Sequence, residues 1–483
     1  MQAKTTGCDS RFDWKDFLKK LAVIAIPVAL QNLLTTTGSM VDTMMIAGQG
    51  ENAVGAVGLC GQFTSLMFSC YWGFVGGGML FFAQYWGNRD EKGIERSYGI
   101  TLLSMMTVAF IFCLLATVFP GFVMNIYTDK DAIKEIGIRY LKIVGFAYPL
   151  QVFSMAMSAL LRSTGKVRVP LYASIASVAA NIFLNWVLID GHLGVKPLGV
   201  EGAAMATVCA SFVNAALCLI LARVQKYPFL FRWKGHFRWT AAWLKEYFRK
   251  CFPIICNELL VGVGNAVIST VLGRQDEQAI AAIAVFRVLE GLVIGFFAGF
   301  SNAASVLVGT CVGAGEPEKA YERAKRIVYL CCGTIFVLCG GIFLLRAPIL
   351  TSMGLSGASF RYGEMLVLIY GIAAVIRMGN WTQNDTYRSA GDAFTGTVME
   401  IVFMYAMVLP AVILSGRVFG ASLMVVFICC YIDEPIRFVL MQRHMYSGKW
   451  IRPVTPEGKA AMPRFFEMLK GRRGEKDAGG LTQ

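Results

Sequence analysis

Histidine is nearly absent from this chain. His192, His236 and His444 are the only three in 483 residues, and they lie far apart, in loops or at the end of an apolar run. That leaves little support for a nucleophile triad or a zinc site, both of which need imidazole beside fixed partners. Charge is scarce too, at 16% of residues against 56% hydrophobic, with mean hydropathy +0.56. So much apolar surface exceeds what a soluble protein of this length buries in its cores. The 14 cysteines are scattered through apolar runs, and none has metal-ligand spacing with a histidine. They read as small apolar fillers. With neither a nucleophile and base nor a metal cluster in those runs, the sequence predicts no enzyme and no cofactor.

What is present is a series of long apolar runs. Twelve read as membrane spans, near residues 17–46, 53–86, 98–118, 140–161, 169–189, 200–222, 248–272, 279–312, 327–345, 365–387, 395–414 and 420–441; a bilayer core takes about 20 apolar residues. The mixed charge at the start precedes a run too long for a signal-peptide core, so no cleavable signal is expected. With the N-terminus inside, 33 of the 45 Lys and Arg fall on the inner side and nine on the outer, and Arg287, Arg377 and Arg437 lie within spans. This bias predicts cytoplasmic termini. The net charge of +14 then faces anionic lipid headgroups rather than nucleic acid. The expected plan is an N-terminal segment (1–16), a first lobe (17–222), a basic cytoplasmic linker (223–247), a second lobe (248–441) and a cytoplasmic tail (442–483). The tail, with Pro453, Pro456 and Pro463, reads as mobile or surface-lying.

The two lobes are related in sequence. Slid along itself at one constant offset, the chain places Pro27 on Pro253, Gly38 on Gly264, Gly73-Phe74 on Gly299-Phe300, Gly87 on Gly313 and Arg162-Ser163 on Arg388-Ser389. Residues 27–165 give 23 identities in 139 ungapped positions. The recurring glycines, prolines and Arg-Ser-x-Gly turns carry the argument, because shared apolar composition cannot place them. The fold class predicted is an all-α polytopic membrane protein, twelve transmembrane helices in two parallel six-helix repeats, with a substrate site between the halves.

Polar residues inside the spans are the candidate site. In the first span Gln31, Asn32, Thr35, Ser39 and Asp42 accompany Gly38, giving a polar stripe with a small-residue notch. Asn181 and Asn185 share a face of the fifth span with Ser174 and Ser177, reading equally as interhelical glue or as site lining. The second half adds Asn257, Glu258, Asn265, Arg287, Glu290, Arg377, Asn380, Asn384 and Asp385. Arg287 and Glu290 read as a self-neutralising pair three residues apart, and Asp385 as a partner of Arg388. Glu258 has no local partner, so Arg377, Arg287, a proton or a substrate cation would have to neutralise it.

Val41-Asp42-Thr43, Ala83-Gln84-Tyr85-Trp86-Gly87, Leu161-Arg162-Ser163-Thr164-Gly165 and the second Arg-Ser-x-Gly turn, in this order and spacing, resemble the multidrug and toxic compound extrusion (MATE) family over roughly residues 17–446, with features between its NorM-like and DinF-like branches. The resemblance implies a V-shaped central cavity in a bacterial inner membrane. It implies export of amphipathic, often cationic, organic compounds in exchange for Na⁺ or H⁺. Asp42 carries over as the coupling carboxylate, with Na⁺ near it as the metal option, and Glu258 is a second coupling candidate. The fifth-span Asp of the DinF-like branch is Asn185 here, and the second-lobe cation site of NorM-like members does not carry over. A buried carboxylate can be neutralised by H⁺, Na⁺ or a cationic substrate, and competition for one charge at a site of alternating exposure is antiport. A monomer is expected, with a small organic substrate and the bilayer as partners. The alternative reading is a flippase or exporter of a lipid-linked or anionic substrate, motivated by Arg287 and Arg377 if they face the cavity unpaired.

Overall fold

The computed structural model describes residues 12–227 and 230–479, so most of the expected N-terminal segment and the end of the tail lie outside the described residues. The first half runs α1 (Trp14–Ala47), α2 (Glu51–Gly87), α3 (Glu91–Val118), α4 (Pro120–Tyr127), α5 (Asp131–Val144), α6 (Ala147–Ser163), α7 (Arg168–Asp190) and α8 (Val200–Val224). After the short α9 (Trp233–His236) come α10 (Ala241–Leu272), α11 (Glu277–Gly313), α12 (Pro317–Leu344), α13 (Arg346–Ser352), α14 (Gly357–Ser389), α15 (Thr395–Phe403), α16 (Leu409–Ile413), α17 (Leu423–Cys429), α18 (Glu434–Ser447) and α19 (Pro456–Gly479). Side chains start several of these helices: Asp13, Asp90 and Asp276 accept from backbone N–H groups three residues on, at 3.0, 2.9 and 2.6 Å.

Ten described helices are long and apolar enough to cross a membrane, or eleven if α5 and α6, bent by 50°, form one span. The expected twelfth span is broken instead. α17 ends at Cys429 and α18 begins at Glu434, so Asp433 enters the second lobe at the break. The eleventh span holds π-helical turns at Met404–Val408 and Leu414–Val418, on either side of Pro410. Proline has no N–H to donate, and the backbone widens to re-pair its neighbours. Large apolar side chains such as Phe110, Phe336, Val337 and Leu344 are exposed, as lipid-facing surface requires.

The first helix of each half crosses to the other. Phe17, Leu21, Ile24 and Val28 of α1 pack in one cluster with Ala303, Val306 and Leu307 of α11. Tyr247 and Cys251 of α10 pack in a cluster with Val75, Phe81 and Phe82 of α2. The repeated glycines make these crossings possible. A Cβ on Gly73 would lie 2.4 Å from Ile255 Cα, and one on its mate Gly299 2.3 Å from the Ala25 carbonyl oxygen. At the helix ends the pattern recurs: a Cβ on Gly87 would lie 2.0 Å from the Thr310 carbonyl oxygen, and one on Gly313 1.9 Å from that of Gln84. Thr310 is itself the repeat mate of Gln84, so one backbone contact is made twice.

These contacts close the halves at the basic face, where the start of α1, α9 and the start of α19 lie. The Gln84 amide donates to the Ser389 carbonyl at 2.9 Å and accepts from the Val454 N–H at 2.8 Å, while the Thr455 hydroxyl donates to the Gly313 carbonyl at 2.9 Å. Where the sequence predicts a mobile or surface-lying tail, the structure buries Trp450 and Phe465 completely. Toward the opposite face the halves part. The α2 face that sets Ser69 against Gly262 continues outward as Ser65, Gln62 and Gly58, all exposed.

Candidate functional site

The polar stripe of α1 meets the polar face of α7. The Asn185 amide donates to Asp42 Oδ1 at 2.6 Å and to Asn181 Oδ1 at 3.4 Å, leaving the buried Asn185 Oδ1 with no hydrogen-bond partner. Gly38 is the notch that lets the helices close, since a Cβ there would stand 3.0 Å from Val178 Cγ1. Nearer the basic face the Gln31 amide donates to Ser174 Oγ at 2.7 Å, and its Oε1 accepts from Arg162 Nη2 at 2.8 Å. Thr35 and Ser39 are exposed, with hydroxyls bonded back to the carbonyls of Gln31 and Thr36, and Asn32 is partly exposed. No cationic side chain pairs with Asp42 among the described residues.

The second lobe repeats this geometry with charges. Asn257 and Glu400 are the repeat mates of Gln31 and Ser174, and the Asn257 amide donates to Glu400 Oε2 at 2.9 Å. Asn384 donates to the same oxygen at 3.0 Å. Arg388, the mate of Arg162, reaches Glu258 at 3.1 Å, Glu400 at 3.9 Å and Asp385 at 4.0 Å. A second knot holds Arg377 at 3.0 Å from Glu290 and 3.9 Å from Glu434, and Arg437 at 2.7 Å from Glu434 and 3.5 Å from Asp433. Asn380 donates to Glu434 Oε2 at 2.6 Å. The matching first-lobe positions of Glu290, Arg377 and Arg437 are the neutral Thr64, Gln151 and Ser211. Arg287, Glu290 and Arg377 line a cavity of ≈ 100 Å³ with Asn265, Trp381 and Tyr431.

Three sequence expectations change. The partner of Glu258 is Arg388, not Arg377 or Arg287, because α10 packs against α15 and the long Arg388 side chain reaches across from the end of α14. The Arg287–Glu290 pair is long, at 4.0 Å, and not self-sufficient: Glu290 binds Arg377 more closely, and Arg287 donates to Ser269 Oγ at 3.0 Å. Asp385 contacts Arg388 at 4.0 Å and also accepts a short hydrogen bond from Ser301. Asn257, Asn380 and Asn384 are buried, binding carboxylates of their own lobe instead of opening onto the cavity. Arg162, Glu400, Asp433 and Glu434 are functional-site neighbours that the sequence does not single out, although Glu400 is a lone carboxylate in an apolar run, the same signal that marks Asp42. Among the described residues no group of three His, Cys, Asp or Glu side chains could hold a metal ion.

The arrangement is two lobes, sealed at one face and parted at the other, each with a buried polar cluster. The family model MatE matches residues 27–187 and 253–413, one copy per repeat. The chain belongs to the MatE family. Members of that family are transporters, not enzymes. The MatE chain is 24% identical over 404 residues to the probable multidrug resistance protein YoeA of Bacillus subtilis, covering 81% of this chain and 85% of that protein. It is 24% identical over 443 residues to the probable multidrug resistance protein NorM of Thermotoga maritima, covering 89% and 93%. Its fold matches the crystal structure of a point mutant of the Vibrio cholerae MATE transporter VcmN with TM-score 0.80 at 14% identity, over 89% of this chain and 96% of that one. It also matches a MOP superfamily transporter from Pyrococcus furiosus with TM-score 0.78 at 17% identity, over 90% and 97%. The protein is thus a multi-pass membrane transporter of a multidrug-efflux family with bacterial relatives.

Proposed function

We propose that the protein is a secondary antiporter of the bacterial inner membrane, with the basic face and both termini cytoplasmic, that exports amphipathic, often cationic, organic compounds in exchange for H⁺ or Na⁺. One observation carries this reading: among the membrane carboxylates described above, Asp42 is held by the Asn185 amide and Glu258, Glu290, Asp385, Glu400, Asp433 and Glu434 have arginine contacts. A carboxylate in the span region without a built-in cation is the one free to exchange a proton, Na⁺ or cationic ligand. The fit to a cation is local. The Asp42 carboxylate and the unpartnered Asn185 Oδ1 are oxygens of the kind a hard cation or a hydrated proton takes. Glu258, held by Arg388, acts as a structural partner in this reading.

Charge also separates cationic from anionic cargo. Arg287, Arg377, Arg388 and Arg437 face six carboxylates, so the second-lobe network carries an acidic excess that favours cationic ligands. Arg377 is paired with Glu290 at 3.0 Å, which counts against one of the two arginines that motivate an anionic or lipid-linked cargo; Arg287, 4.0 Å from Glu290, is the other. The test is uptake of a fluorescent organic cation into proteoliposomes, run separately under an imposed Na⁺ gradient and an imposed pH gradient. Movement driven by one gradient names the coupling ion. A preference for an anionic dye, or no response to either gradient with folded protein, would overturn the reading.

A further inference from the structure

At the basic face, α10, the turn after α14 and the tail enclose an open cleft of ≈ 810 Å³. Lys245 and Arg249, four residues apart on one face of α10, are exposed, and neither pairs with an acidic side chain among the described residues. Lys250 turns one N–H onto the Gly391 carbonyl at 3.0 Å. Arg452 enters from the tail, 3.2 Å from Asp392, with half its side chain exposed. Glu246 is the one acidic residue in the lining, and Asp392, behind Arg452, also takes His444 at 2.9 Å and Thr395 at 2.8 Å. Four cations thus share a small volume with one facing carboxylate, a placement stabilised by an anion between them. The apolar surroundings say which kind. Phe252, Phe394 and Phe248, 65%, 60% and 40% exposed, stand beside these cations at the end of a membrane span. Aromatic rings belong at the level of lipid headgroups, and basic pockets between spans on the cytoplasmic side bind phosphate headgroups. In the other basic cleft Arg232 is already paired with Glu91 at 2.8 Å and Glu95 at 3.2 Å, so two carboxylates offset part of its charge.

We propose that this cleft binds the phosphodiester headgroup of an anionic phospholipid, with Lys245, Arg249 and Arg452 as its ligands and the acyl chains lying along the exposed phenylalanines. The proposal rests on the cytoplasmic orientation of the basic face. Because the backbone N–H of Arg452 donates to the Ala390 carbonyl at 2.9 Å, a phosphate joining α10 to Arg452 clamps the tail onto the end of α14, where it reaches the Gln84 contact.

The experiment uses the full chain. Purified protein is incubated with mixed micelles containing phosphatidylglycerol, phosphatidylcholine or inorganic phosphate alone, and bound lipid is counted by native mass spectrometry beside a thermal unfolding scan. Wild type is expected to retain phosphatidylglycerol and to gain thermal stability from it alone. The Lys245→Gln/Arg249→Gln double variant should hold it about 30-fold more weakly, the loss of two cations that each contribute about 1 kcal/mol at an anionic headgroup. The charge-preserving Lys245→Arg/Arg249→Lys variant controls for misfolding and should bind as wild type does. Equal retention by wild type and the double variant, equal stabilisation by phosphatidylcholine, or full reproduction of the effect by inorganic phosphate would each overturn the proposal. Failure of lipid binding leaves the transport assay under imposed gradients unaffected, so the two readings fail separately.

Discussion

Gly313→Ala tests how the lobes close. An alanine Cβ at this position would stand 1.9 Å from the Gln84 carbonyl oxygen, where real Cβ atoms essentially never come under 3.0 Å. The neighbouring atom is backbone, so relief requires the ends of α2 and α11 to part by about 1 Å in a packed interface that resists such shifts. Overpacking of this kind costs about 1–3 kcal/mol. The cost falls on the conformer sealed at the basic face and not on one that separates these ends, so it acts as a bias of about 5- to 150-fold between the two. Hydrogen exchange read by mass spectrometry on peptides covering residues 84–90 and 310–316 reports it without labels. Both peptides should exchange faster in Gly313→Ala, and Gly87→Ala should repeat the effect, its Cβ falling 2.0 Å from the Thr310 carbonyl oxygen. Gly333→Ala, with nothing within 4 Å of the added atom, should leave both peptides unchanged. Wild-type exchange in a folded Gly313→Ala protein would refute the close-contact argument.

Three further perturbations address other parts of the structure. Arg388→Met strands Glu258, Asp385 and Glu400 without their shared cation, a loss of about 3–5 kcal/mol for a buried pair; thermal unfolding should show it, and adding Glu258→Gln should recover part, whereas equal stability of single and double variants would reject the network. Ending the chain after Ser447 removes Trp450 and the Val454 and Thr455 bonds to Gln84 and Gly313, so the 84–90 peptide should exchange faster, and an unchanged rate would show that the tail does not latch this face. Burial would raise the Asp392 carboxyl, but hydrogen bonds from His444 and Thr395 and the charge of Arg452 outweigh it and hold the group below its ordinary 3.8. Its contribution is therefore present above pH 3.8 and lost as pH falls through the depressed value, so Asp392→Asn should lower thermal stability at neutral pH and converge on wild type only in stronger acid; convergence near pH 6 would contradict this.

Much of the architecture is legible in the sequence because membrane spans and repeats leave local marks. The apolar runs locate the helices, and four of the glycines that recur at the constant offset, Gly73, Gly87, Gly299 and Gly313, are positions where another helix's backbone comes close. The meeting of Asp42 with Asn185 follows from two polar helical faces that each need a partner. The second-lobe network does not follow, since Glu258 and Arg388, 130 positions apart, meet only through the packing of α10 on α15, which no polar pattern announces. Sequence spacing favours Arg287 with Glu290, but helix neighbours compete with tertiary ones, and Arg377 wins that competition. The tail escapes a sequence reading for a related reason: its prolines suggest no regular structure, while the burial of Trp450 depends on a surface formed by α14 and α18.

The central claim is that Asp42 couples the ion gradient to the cargo, and substrate movement with and without a gradient measures it most directly. Wild-type and Asp42→Asn protein are reconstituted side by side, and gradient-driven accumulation of an organic cation is compared with its exchange between equal ion concentrations. The account predicts that Asp42→Asn loses accumulation in a folded protein that remains in the membrane. Accumulation at the wild-type level, with the same ion dependence, would contradict it.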